Sequence, residues 1–123
     1  FAMQPSIFIL DEPTTGQDHG GAEKIRKFLR KLQDDEKTVI LVTHDMPLVA
    51  EIADRVIAMW SSEIIRTANP REFFFDLKTM EKTKLQQPQA TALSHRLQKR
   101  VLNEGITLTV QETIKALEKV VNP

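Results

Sequence analysis

The sequence predicts an α/β fold, and three runs predict it. Ser6-Ile7-Phe8-Ile9-Leu10 and Thr38-Val39-Ile40-Leu41-Val42-Thr43 are apolar on both faces, and a helical pattern lies between them. Strands that are apolar on both faces belong in a parallel sheet covered on both sides. Strand, helix and strand with short connections form a βαβ unit, whose strands run parallel.

The elements follow in order. The first strand stops at Asp11-Glu12-Pro13, and turn chemistry follows through Thr14-Thr15-Gly16-Gln17-Asp18. Ala22, Ile25, Leu29 and Leu32 then recur at helical spacing, with Phe28 widening the stripe. Asp18 is the expected N-cap of this helix, which should end near Asp34-Asp35-Glu36. After the second strand, His44-Asp45-Met46-Pro47 leads into a short helix with Leu48, Val49, Ile52 and Ala53 inward. Arg55 to Trp60 and Glu63 to Thr67 read as an antiparallel hairpin at the sheet's edge, turning at Ser61-Ser62.

Beyond Ala68 the pattern is helical. Asn69-Pro70-Arg71-Glu72 is a helix start, and Phe73-Phe74-Phe75 reads as packing. Gln87-Pro88 opens a helix with Ala90, Leu93, Leu97 and Val101 on one stripe, and Gly105 lies just past its expected end. Thr109-Val110-Gln111-Glu112 is a capping box that opens a last helix with Val110, Ile114, Leu117 and Val121 on one face. The expected division is an α/β part over residues 1–68 and a helical part over residues 69–123.

Composition narrows the function classes. Seventeen basic residues balance seventeen acidic ones, so there is no electrostatic footprint for nucleic acid or an anionic membrane. Cysteine is absent, which excludes a disulfide framework and a Cys-based metal site and fits a reducing cytoplasm. The apolar runs are too short to span a bilayer, and the first residues do not form a signal peptide.

The chemistry gathers at one rim. Ligands of open α/β sheets bind at the carboxyl ends of the strands. The first strand ends in Asp11-Glu12 and the second in His44, so neighbouring parallel strands would bring two carboxylates and an imidazole together. One carboxylate can serve a hard cation such as Mg²⁺, which keeps waters and shares phosphate oxygens. The other can orient an attacking water, and an imidazole can bond both the second carboxylate and a terminal phosphate. Taken singly, each residue has a plainer reading. A carboxylate pair after a strand is equally turn chemistry, His44 a cap or surface residue, and Asp18 an N-cap. His19 and His95 read as surface residues.

In combination these segments resemble the ABC ATPase superfamily. Ile7 to Glu12 resembles the Walker B strand with its following glutamate, Pro13 to Asp18 the approach to the D-loop, and Thr43-His44-Asp45 the switch-histidine loop. A closer resemblance is to the ATPases of energy-coupling factor transporters. It rests on D-E-P-T-T-G-Q-D at Asp11 to Asp18, T-H-D-M-P-L-V-A-E-I-A-D-R at Thr43 to Arg55, and Asn69-Pro70-Arg71-Glu72-Phe73-Phe74. Less specific matches are Leu85 to Gln89 and Leu108 to Glu112. The resemblance implies a partial P-loop NTPase fold with parallel strands, an edge hairpin and a C-terminal helical extension. It implies that Asp11 holds Mg²⁺ through water, Glu12 is the general base, His44 contacts the γ-phosphate, and Asp18 acts across a dimer interface. The implied cofactors are ATP and Mg²⁺ in an intact parent. The implied partners are a second ATPase subunit, in a homo- or heterodimer to whose pairing the C-terminal helices contribute, and a transmembrane coupling subunit, with the protein at the inner face of the cell membrane.

Two departures set further expectations. The sequence contains no G-x-x-x-x-G-K-[ST] phosphate loop and no L-S-G-G-Q signature, both of which would lie upstream of Phe1. Ser61-Ser62 stands where a glycine-containing turn is usual. The chain by itself is therefore expected neither to bind ATP tightly nor to hydrolyse it. Its strands, built for cover on both faces, are expected to drive self-association. Three function classes stand side by side: part of a transport ATPase, a self-associating interaction module, and part of a soluble ABC-type ATPase. Neutral charge and the segment after Ala68 count against the last.

Overall fold

A computed structural model describes residues 5–98 and 105–121. They fall into two compact units, residues 1–45 and residues 46–123. The expected limit at Ala68 is one of pattern, and only helices follow Ala68 among the described residues.

In the first unit, strand β1 (Ile7–Asp11), helix α1 (His19–Asp34) and strand β2 (Thr38–Val42) follow one another. The strands are parallel, in register from Ile7 opposite Thr38 to Asp11 opposite Val42. Their side chains alternate: Phe8, Leu10, Val39 and Leu41 are half-buried, while Ile7, Ile9, Ile40 and Val42 are exposed. The double-sided apolar pattern therefore has cover on one face only. Phe8 meets Phe28 of α1 edge to face at 6.2 Å, and Leu29 and Leu32 are buried. Asp18 caps α1, its carboxylate accepting the Gly21 N–H at 2.7 Å. At the other end Glu36 takes φ 54°. Its N–H reaches the Gln33 carbonyl while the Lys37 N–H reaches that of Leu32. This is a Schellman closure without its usual glycine.

The second unit opens with α2 (Met46–Ile52), which buries Met46, Leu48, Val49 and Ala50. Strands β3 (Val56–Trp60) and β4 (Glu63–Ala68) form a two-stranded antiparallel sheet of their own. Ser61 and Ser62 both have positive φ, 49° and 66°, as a tight hairpin turn demands. Ala58 pairs with Arg66 and Met59 with Ile64, so Ile65 is a bulge. Helix α3 (Pro70–Phe75) starts on the Asn69 cap, whose side chain accepts the Glu72 N–H. Phe73 and Phe74 are fully buried with Met46, Val49, Ala58, Met80, Ile106 and Leu108. Phe75 is exposed, against its expected packing role, and rests beside His95 at 5.4 Å.

Helix α4 (Leu77–Thr83) was not expected as a separate element. Asp76 starts it by accepting both the N–H and the hydroxyl of Thr79, and it also meets Arg66 at 3.0 Å. Helix α5 (Gln89–Gln98) buries Ala90, Thr91 and Ser94, while Leu93 of the expected stripe is exposed and Val101 lies outside the described residues. Helix α6 (Val110–Val121) buries Thr113 and Ala116 and exposes Val110, Ile114 and Val121. Both inner faces turn on hydroxyls. The Ser94 hydroxyl receives the Thr107 N–H, and Thr113 meets Thr107 at 2.6 Å. The capping box forms with one change: the Glu112 N–H reaches Thr109, but the Glu112 carboxylate receives the Leu108 N–H instead of that of Thr109.

Candidate functional site

The parallel pairing of β1 and β2 puts both carboxyl ends on one side, and of the three predicted residues Glu12 and His44 meet there, while Asp11 does not form a three-residue cluster with them. Glu12, one residue past β1, has φ 45°. Its N–H donates to the Val42 carbonyl at 2.8 Å, and its own carbonyl accepts the Thr15 N–H at 3.1 Å. A left-handed glutamate is uncommon. Here the ladder on one side and the turn on the other hold it.

The Glu12 carboxylate reaches across to the segment after β2. Its Oε1 accepts the His44 backbone N–H at 3.1 Å and the His44 ring at Nδ1 at 2.8 Å. Its Oε2 accepts the hydroxyls of Thr15 at 3.0 Å and Thr43 at 3.4 Å. The hydrogen bond from His44 holds the Glu12 carboxyl below its ordinary range, and the Thr15 hydroxyl acts in the same direction. The same bond, and then the charge of Glu12, raises His44 above an ordinary histidine. His44 remains largely exposed, so its ring is accessible at the rim.

Asp11 ends β1 on its exposed side. Among the described residues no group of three or more His, Asp or Glu side chains forms a metal cage. Asp11 adds a carboxylate at the end of the strand that leads into Glu12. That suits a single protein ligand of Mg²⁺ whose other ligands are waters and phosphate oxygens. Asp18 is engaged as the α1 cap.

Sequence reasoning gave no role to a second set of residues behind the pair. The Thr14 hydroxyl donates to Asp45 at 3.0 Å, the Arg26 guanidinium stands 4.0 Å from the same oxygen, and the Asp45 N–H reaches the Thr43 hydroxyl at 3.0 Å. These contacts tie the turn after β1 and helix α1 to the segment that carries His44. The available signal was the Thr14-Thr15 doublet facing Thr43 and Asp45 across parallel strands.

The parallel βαβ unit with a carboxylate–imidazole pair at its carboxyl rim is similar to a segment of an ABC-type ATPase. Relatives similar over most of the chain's length include ATP-binding proteins of energy-coupling factor transporters. The energy-coupling factor transporter ATP-binding protein EcfA of Methanocaldococcus jannaschii is 41% identical over 99 residues, which are 80% of this chain and 36% of that protein. EcfA2 of Lactiplantibacillus plantarum is 43% identical over 80% of this chain and 34% of its own length. EcfA of Methanothermobacter thermautotrophicus is 35% identical over 94% of this chain and 37% of its own length. The chain thus spans about a third of the length of these relatives. Among solved structures, cbiO1 of Clostridium perfringens, part of the ABC transporter complex cbiONQ, aligns with TM-score 0.52 and 34% identity. That alignment covers 74% of this chain and 37% of cbiO1. No protein-family model matches the chain.

Proposed function

We propose that this chain supplies the hydrolytic rim of an ATP-binding subunit that drives solute uptake through an energy-coupling factor type ABC transporter. The observation that supports it best is the 2.8 Å Glu12–His44 contact at the carboxyl ends of parallel strands. It occurs in a segment whose relatives carry that name. When bound, Mg²⁺ and nucleotide supply charge neutralisation and the scissile phosphate. Asp11 would hold the cation through water. Glu12 would accept the proton of the attacking water as general base. His44, tied through Nδ1 to Glu12, would keep its other ring nitrogen free for the γ-phosphate. Asp18 would act across the interface with a second ATPase subunit, with the C-terminal helices adding to the pairing. A transmembrane partner would then hold the subunit at the inner face of the membrane. No helix among the described residues is long and apolar enough to cross a membrane.

The sequence holds no glycine-rich phosphate loop, so the chain alone is expected to show neither tight ATP binding nor turnover. Phosphate release that vanishes in Glu12→Gln would overturn that part. The function itself is tested by grafting residues 6–68 of this chain into the M. jannaschii relative in place of its equivalent segment. The chimera should hydrolyse ATP and lose that activity in Glu12→Gln or His44→Ala. An active chimera indifferent to both changes would sink the assignment. Exposed Ile7, Ile9, Ile40 and Val42 favour a second reading, self-association of the chain as it stands. A monomer in light scattering at high concentration would dismiss it.

A further inference from the structure

A carboxylate offers about four lone-pair sites; on Glu12 three accept close hydrogen bonds and the fourth faces the Thr43 hydroxyl at a longer 3.4 Å. Oε1 serves His44 twice, and Oε2 serves Thr15 and Thr43. The two halves differ in kind. The Oε1 contacts hold the reactive pair together. The Oε2 contacts come from two neutral hydroxyls on different segments, one three residues and one thirty-one residues away in sequence. A neutral hydroxyl orients a carboxylate without cancelling its charge. Both hydroxyls are on β-branched side chains with few rotamers. The Thr43 hydroxyl also receives the Asp45 N–H at 3.0 Å, which leaves its own proton for Glu12.

We propose that Thr15 and Thr43 are positioning residues for Glu12, capturing Oε2 and so turning Oε1 onto the amide and ring of His44. Glutamate otherwise loses substantial rotamer freedom when it is fixed in one place; here the two hydroxyls impose the pose before any ligand arrives. Thr15 is the exposed member of the pair, while Thr43 is half-buried. The 3.0 Å Thr15 bond is the firmer of the two, and the lone pair facing Thr43 at 3.4 Å is the easier one for a water to take. The proposal rests on the reading of Glu12 and His44 as the reactive pair.

Amide exchange and the ring ¹⁵N spectrum of His44, measured on the full chain, test it without requiring turnover. Glu12→Ala sets the scale, because it removes every bond to His44. In Thr15→Val/Thr43→Val the His44 amide should exchange about tenfold faster, the loss of roughly one hydrogen bond. Its Nδ1 resonance should move toward that of the Glu12→Ala chain. Thr15→Ser/Thr43→Ser should restore both, since only the hydroxyl is needed. The Gly21 amide, bonded to Asp18, should not change and reports that the unit is folded. If the double valine variant unfolds, Thr15→Val alone gives the answer at an exposed position, with a smaller shift of the same sign. A response to Glu12→Ala but none to the valine variants would overturn the positioning role and leave the pair standing. No response to Glu12→Ala would remove the pair itself, and the functional reading with it.

Discussion

The two compact units use their apolar residues in opposite ways. Residues 1–45 carry the Glu12–His44 pair on a sheet whose Ile9 is 71% exposed, and only Leu29 and Leu32 are buried apolar side chains among their described residues. Residues 46–123 bury Phe73 and Phe74 completely and carry no comparable cluster of acid and imidazole among the described residues. Thus one unit has chemistry with little core, and the other has core without that chemistry. The first is ordered locally by ladder pairing and by hydrogen bonds that cross from one strand end to the next. A two-stranded sheet is marginal until further strands or a helix pack on it, and here a single helix does so. The geometry of Glu12 therefore depends on polar contacts more than on burial.

The sharpest way to break this contrast is to empty each core in turn. Phe74→Ala should destabilise the second unit by about 3–5 kcal/mol. Trp60 is the only tryptophan, so its fluorescence in a urea titration reports that unit. Leu29→Ala should cost about 2–5 kcal/mol, read at the β1 and β2 amides by hydrogen exchange. The Trp60 transition should remain where it was. If Leu29→Ala moves that transition as far as Phe74→Ala does, the units are one in stability and the contrast fails.

A third prediction concerns acid. The Thr79 hydroxyl and N–H, with the Arg66 charge, hold the Asp76 carboxyl below its ordinary range. A depressed carboxyl contributes stability that is present above its unfolded pKa and is lost as pH falls through the folded value. The Trp60 transition should therefore weaken on acidification below the usual carboxylate range. In Asp76→Asn that part of the slope should flatten. An unchanged slope would show that Asp76 is not coupled to the hairpin it meets through Arg66. The smallest expected effect is that of Ile9→Thr, within about 0.5 kcal/mol because the side chain is already in water. Light scattering should nonetheless report less association.

The features legible in the sequence were those with short-range or polarity-based causes. Asp18 and Asn69 cap their helices because an acceptor must meet the orphan N–H groups of the first turn. Glu12 and His44 meet because parallel strands end on one side. The Oε2 hydroxyls were not legible. The Thr43 contact requires the left-handed turn at Glu12, which no pattern of residue types announces. The inner faces of α5 and α6 were legible only in part: Ala90 of the expected stripes is buried and Leu97 and Leu117 are half-buried, but Leu93 and Ile114 are exposed. Periodicity counts Thr91, Ser94, Thr107 and Thr113 as surface, yet each is buried because its hydroxyl has a partner. The apolar stripe of Val110, Ile114 and Val121 then falls outside.

The tip of the hairpin gives the chain evolutionary headroom. Two consecutive serines sit there at φ 49° and 66°, a region that disfavours side-chain-bearing L-residues by roughly 1–2 kcal/mol each. Asparagine followed by glycine adopts the same turn at ease. A lineage could therefore drift toward a hardier protein by changing these two turn residues alone.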